Sequence, residues 1–102
     1  MEVQVQSIHF DADVKLIEFI EKKVSKLTTF YDRIVGADVY LKVTKKEAKN
    51  NKTVEIKLSV PGAVLFATEQ EDSFEAATDA AVEALKTQIK KHKEKQVTSH
   101  SL

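Results

Sequence analysis

The chain has no cysteine, one proline and two glycines among its 102 residues. Without thiols it can form neither disulfides nor thiolate metal sites. With Gly36 and Gly62 its sole glycines, it carries no glycine-rich loop to cradle a nucleotide phosphate. No apolar run approaches the roughly 20 residues of a membrane-spanning helix. Met1-Glu2-Val3-Gln4-Val5 lacks the basic and apolar regions of a secretory signal. We therefore expect a cytoplasmic protein with no membrane partner and no cofactor. An excess of charge is missing too, since 16 basic side chains balance 16 acidic ones.

What is present suits one ordinary globular domain. A hydrophobic fraction of 42% and a charged fraction of 31% are usual for such a chain. At this length folding buries roughly 65% of the unfolded surface, enough for one modest core. The balanced charge is unevenly placed. Residues 69–83 hold six acidic side chains and no Lys or Arg, and residues 84–102 hold five lysines against Glu94. The last third is thus acidic first and basic second, and such a distribution says more than the sum.

Hydrophobic spacing gives the elements. Alternation at Val3, Val5 and Ser7 predicts a strand from Val3 to Phe10. Asp11 or Asp13 then caps a helix running to about Leu27. Leu16, Ile17, Ile20, Val24 and Leu27 form its apolar face. Thr28 to Gly36 is a connection, with Tyr31 and Asp32 as packing and turn residues. Ala37, Val39, Leu41 and Val43 alternate with polar partners, as do Val54, Ile56 and Leu58. Between these two strands, polar Lys45 to Asn51 makes a hairpin loop. Pro61-Gly62 fits a type II turn, and a fourth strand follows from Ala63 to Glu69. Ser73 caps the last helix, whose buried stripe is Phe74, Thr78, Ala81, Val82, Leu85 and Ile89.

The predicted class is α+β, in the order β-α-β-β-β-α. One four-stranded mixed sheet carries both helices on one face, because each strand is apolar on one side only. The first two strands should be parallel and the later pairs antiparallel. Residues 1–95 form the domain, and 96–102, without periodicity, a flexible tail.

The basic residues gather on the helices. Lys15, Lys22 and Lys26 lie within about 40° of one another on the first helix, with Lys23 beside them. Lys86, Lys90 and Lys93 form a stripe on the last helix, with Lys91 and Lys95 on the opposite flank. Two lysine ridges over one sheet face make a surface suited to phosphate oxygens. Exposed helix lysines also serve solubility, and those near a helix C-terminus answer its dipole. The outward sheet face offers Tyr40 without a paired aromatic, so reading of specific bases has no support.

Catalysis has little to stand on. His9, Asp11 and Asp13 could be drawn as a metal site, but helix capping accounts for the aspartates and exposure for His9. His92, on the stripe line of the last helix, reads as partly buried or partner-facing. No Ser-His-Asp pattern is present, so we expect no enzyme. A protein-binding module, acting through its sheet edge or the acidic start of the last helix, is the rival reading.

Three segments carry a family resemblance. Lys26-Leu27-Thr28-Thr29-Phe30-Tyr31-Asp32-Arg33-Ile34 resembles a K-L-x-x-[YF]-[FY]-D-R-I helix exit. Pro61-Gly62-Ala63-Val64-Leu65-Phe66-Ala67 is similar to a P-G-x-x-L-x-A turn and strand, and residues 84–93 to an L-x-R-Q-[LI]-x-K-x-K helix. Together, in order, they resemble the ribosome hibernation-promoting factors and the ribosome-associated inhibitor called protein Y. The resemblance implies binding to the small ribosomal subunit and its ribosomal RNA near the decoding centre. There the protein would overlap the messenger and transfer RNA sites and silence translation in stationary phase or under stress. Phosphate-contacting positions carry over onto Lys22, Lys23, Lys26, Lys86, Lys90, Lys91 and Lys93. Thr87 stands where the family has Arg, which places one contact in doubt and offers Lys86 as a substitute. Long forms add a dimerisation domain; ending at Leu102, this chain is expected to be a short form and, when free, a monomer. Reversing the loop lysines Lys45, Lys46 and Lys49 is expected to matter less than reversing Lys86, Lys90 and Lys93.

Overall fold

A computed structural model describes residues 1–44 and 51–100, with residues 96–100 described by their backbone alone. The order is β1 (Glu2–Ser7), α1 (Val14–Ser25), a 3-10 turn (Lys26–Thr29), β2 (Gly36–Val43), β3 (Lys52–Val60), β4 (Ala63–Glu71) and α2 (Phe74–His100). The strands lie in the order β1-β2-β3-β4. β1 and β2 are parallel, while β2–β3 and β3–β4 are antiparallel. The α+β class, the mixed sheet and the element order all agree with the sequence pattern.

Register explains how one sheet face becomes core. Val5 lies opposite Val39, Val39 opposite Ile56, and Ile56 opposite Ala67. Side chains alternate along each strand, so these rows share a face. Val39, Leu41, Val54, Ile56 and Leu58 are fully buried, as are Ile20, Val24 and Leu27 above them. From α2 come Ala77, Ala81, Leu85 and Ile89, packed in the same cluster. The alanines let α2 approach the sheet closely. Thr78, also buried, meets its polar requirement within its own helix by donating to Phe74 O at 2.7 Å.

The ends of the elements have local causes. β1 stops at Ser7, three residues short of the expected end, and His9 just beyond it has a φ of 64°. This left-handed conformation breaks extended pairing and turns the chain toward α1. Phe10, expected in the strand, instead stacks on Phe74 at 5.2 Å between ring centroids, tying the β1–α1 connection to the start of α2. Asp13 is the cap of α1, its carboxylate accepting from Lys15 N at a long 3.4 Å. Ser73 Oγ accepts from Ala76 N at 3.1 Å at the start of α2. Gly62 has the φ of 80° that the third position of a type II turn requires.

Two boundaries run longer than the periodicity suggests. β4 reaches Glu71 and α2 reaches His100, past the Lys95 boundary drawn from sequence. Glu, Lys and Gln continue a helix at little cost even where no apolar face directs them. Lys45, Lys46 and Lys49 of the hairpin loop lie outside the described residues, as do Ser101 and Leu102.

Candidate nucleic-acid interface

The 3-10 turn after α1 creates the site. A run of Thr28 and Thr29 ends the α-helix, and each hydroxyl donates to the carbonyl three residues back, at 2.7 Å. Such bonds tighten the chain into i→i+3 geometry. Leu27 stays fully buried and Tyr31 nearly so, which pins the turn to the core. Phe30, between them, is left 47% exposed. Its N–H donates to Leu27 O at 3.0 Å, and its carbonyl accepts from Lys93 Nζ of α2 at 2.8 Å.

This turn lies against the middle of α2, and two clefts flank the contact. One, of about 450 Å3, is lined by Phe30, Lys86, Thr87, Ile89, Lys90, Lys93 and Glu94. The other, of about 500 Å3, is lined by Lys23, Lys26, Thr29, Phe30, Asp79, Val82, Glu83 and Lys86. Phe30 and Lys86 belong to both and form the ridge between them. Five of the seven lysines singled out from sequence therefore converge: Lys23, Lys26, Lys86, Lys90 and Lys93. Lys22 and Lys91 line neither cleft and flank them on exposed surface.

The five are not equivalent. Lys23 pairs with Asp79 at 3.3 Å, and its ammonium lies 5.6 Å from the Phe19 ring centroid. Lys86 pairs with Glu83 at 3.0 Å and stands 4.9 Å over the Phe30 ring. Lys26 and Lys90 make no ion pair among the described residues, so their charge is available to an incoming anion. Asp79 and Glu83 sit on the same flank of α2 as Lys86, Lys90 and Lys93, one to two turns nearer the N-terminus. They neutralise the start of the ridge and leave the positive field to its later turns. Thr87, in the position of the family's Arg, is exposed and directs its hydroxyl at Glu83 O, 3.4 Å away.

Sequence reading missed Phe30 as a surface residue, because an aromatic beside buried Leu27 and Tyr31 looks like core. It also missed Gln88. That side chain donates to Phe66 O at 2.7 Å and accepts from Phe66 N at 3.3 Å, occupying part of the open edge of β4. On the outward sheet face Phe66 joins Tyr40, but β3 lies between their strands and places Lys57 beside Phe66 and Glu55 beside Tyr40. His92 meets Tyr31 edge to face at 5.9 Å, in keeping with partial burial, and His9 is exposed.

Comparison with known proteins agrees with this architecture. Residues 3–97 match the family described as Sigma 54 modulation protein / S30EA ribosomal protein. A ribosome hibernation promoting factor of Pseudomonas putida is 32% identical over 96 residues, covering 94% of this chain and 90% of that protein. That of Azotobacter vinelandii is 33% identical over 97 residues, covering 95% and 87%. A ribosomal subunit interface protein from Coxiella burnetii, 24% identical, shares the fold with a TM-score of 0.81 over 92% of this chain and 99% of its own. The chain belongs to the Sigma 54 modulation protein / S30EA ribosomal protein family, the family of the ribosome hibernation promoting factors and protein Y.

Proposed function

We propose that this protein is a ribosome hibernation factor that binds the small ribosomal subunit near the decoding centre. It acts in the cytoplasm by contacting ribosomal RNA phosphates, blocking the messenger and transfer RNA sites and silencing translation under stress or in stationary phase. The observation that carries this reading is the convergence of five lysines from two helices on one pair of clefts. A chain without net charge has no long-range reason to meet RNA. A local cluster on a rigid platform supplies one, since the helix backbones are already ordered and little further entropy is lost on binding.

In this mechanism no bond is made or broken. Lys26 and Lys90 meet phosphates directly, and Lys93 does so while steadying the turn at Phe30. Lys23 and Lys86 exchange exposed carboxylate partners for phosphate, an exchange that costs little because such surface pairs contribute only about 0–1 kcal/mol. Lys22 and Lys91 extend the positive surface on either side. Inhibition is occupancy: while the protein fills the site, its RNA ligands cannot.

The rival protein-binding reading finds less support. Gln88 already occupies the β4 edge at Phe66, and Asp79 and Glu83 of the acidic helix start are engaged by lysines. The apolar stripes of both helices are buried in one core, which favours a monomer in the free state. Light scattering at low micromolar concentration checks that point, a stable dimer being the contrary result. Sucrose-gradient sedimentation of cell lysate tests the function itself. Co-migration with the small ribosomal subunit is expected; migration in a discrete protein complex away from ribosomal particles would favour the rival.

A further inference from the structure

We propose that Phe30 is a stacking platform for an unpaired nucleobase, so that this surface grips single-stranded RNA by a base as well as by its phosphates. The inference rests on the RNA-binding reading above and adds a ligand moiety to it. Nearly half of Phe30 is exposed although both its core-facing neighbours, Leu27 and Tyr31, are buried. Exposed aromatic rings on loops are common and need no explanation singly. This one differs because it is held at the centre of the lysine cluster. Its backbone is fixed by Leu27 O on one side and by Lys93 Nζ, 63 residues away in sequence, on the other. Its ring is oriented by the Lys86 ammonium at 4.9 Å.

The surroundings specify the ligand chemistry. A flat apolar face invites another flat apolar face, and the cations on both sides of it require that ligand to carry anions on both sides. Lys90 and Lys93 lie in one cleft, Lys23 and Lys26 in the other, with Phe30 common to both. A single strand has this alternation: a base, with a phosphate before it and a phosphate after it. A duplex does not, because its bases are already stacked on one another. The acids Asp79, Glu83 and Glu94 at the margins of the clefts oppose an acidic ligand without a base as much as they oppose RNA. The stacking contact therefore decides between them. Base-on-aromatic stacking tolerates any base, so the platform adds affinity for unpaired RNA without reading its sequence.

The chain contains no tryptophan, which makes the test direct. In Phe30→Trp a single indole reports on this position alone, and its fluorescence is titrated with a 12-nucleotide oligoadenylate, an abasic oligomer of equal length, and polyglutamate. We expect quenching by oligoadenylate and none of that size by the other two. In parallel, Phe30→Leu keeps an apolar side chain on the surface and should leave the melting temperature unchanged. It should weaken oligoadenylate binding by about tenfold while the salt dependence stays that of the unmodified protein. Equal quenching by the abasic oligomer or polyglutamate would overturn the proposal, as would full affinity in Phe30→Leu. In either case, salt-sensitive RNA binding by the unmodified protein would show that the lysine reading survives. Absence of that binding from the unmodified protein would overturn both readings together.

Discussion

The two halves of α2 divide the labour of the molecule. From Phe74 to Leu85 the helix serves the core: Phe74, Ala77, Thr78, Ala81, Val82 and Leu85 are all buried, and its charges are acidic. From Lys86 to Lys95 only Ile89 is buried among the described side chains, and five lysines surround it against one Glu94. The first half gives the helix its position, and the second uses that position. The difference teaches that a short chain can build a rigid binding surface by extending a core helix past its core. Stability and binding should then be separable along one element.

The largest expected effect comes from reversing the charges of the second half. Lys86, Lys90 and Lys93 changed together to Glu should weaken small-subunit binding by about a thousandfold or more, at about 1.5–3 kcal/mol for each lost charge-assisted contact. Thermal unfolding should barely change, because Lys90 and Lys93 are exposed and the Lys86 pair with Glu83 is a surface pair. The mirror experiment is Leu85→Ala. It removes a fully buried side chain and should cost about 2–5 kcal/mol in urea unfolding, while the folded fraction binds as before. A substantial binding loss in folded Leu85→Ala would break the comparison.

Smaller effects sharpen it. Ser73→Ala deletes the hydroxyl that accepts from Ala76 N, and should lower stability by about 1 kcal/mol with binding unaffected. Lys57→Glu reverses an exposed charge on the outward sheet face, away from the clefts. In filter-binding assays it should change affinity far less than Lys90→Glu, and its effect on stability should stay within about 0.5 kcal/mol.

Much of this was legible in the sequence, and the exceptions share a cause. Alternation at Val39, Leu41, Ile56 and Leu58 gave strand faces; the spacing of Ile20, Val24, Leu27 and of Leu85, Ile89 gave helix faces. Ser73 and Pro61-Gly62 announced their cap and turn through local chemistry. These signals are local, set by neighbours within a few residues. What could not be read joins distant residues. Lys23 meets Asp79, Gln88 clamps Phe66, Lys93 holds the carbonyl of Phe30, and Phe10 leaves its strand to stack on Phe74. Helical spacing placed Lys86, Lys90 and Lys93 on one stripe, yet it could not show which ridge of α1 they would face. It therefore grouped Lys22 with Lys26, where the fold turns Lys26 into a cleft and leaves Lys22 outside. The 3-10 turn that exposes Phe30 depends on two threonine hydroxyls bonding backward, a choice that helix periodicity does not encode.

The central claim is that the clustered lysines, not the net charge, bind RNA, and salt tests it most directly. Affinity for purified small ribosomal subunits is measured across a range of potassium chloride concentrations. With five cleft lysines each neutralising a phosphate at roughly 0.7–0.9 per contact, the log–log slope should be about −4. It should flatten to about −2 or less when Lys86, Lys90 and Lys93 are all changed to Glu. A slope near zero for the unmodified protein, or one untouched by the three changes, would contradict the account.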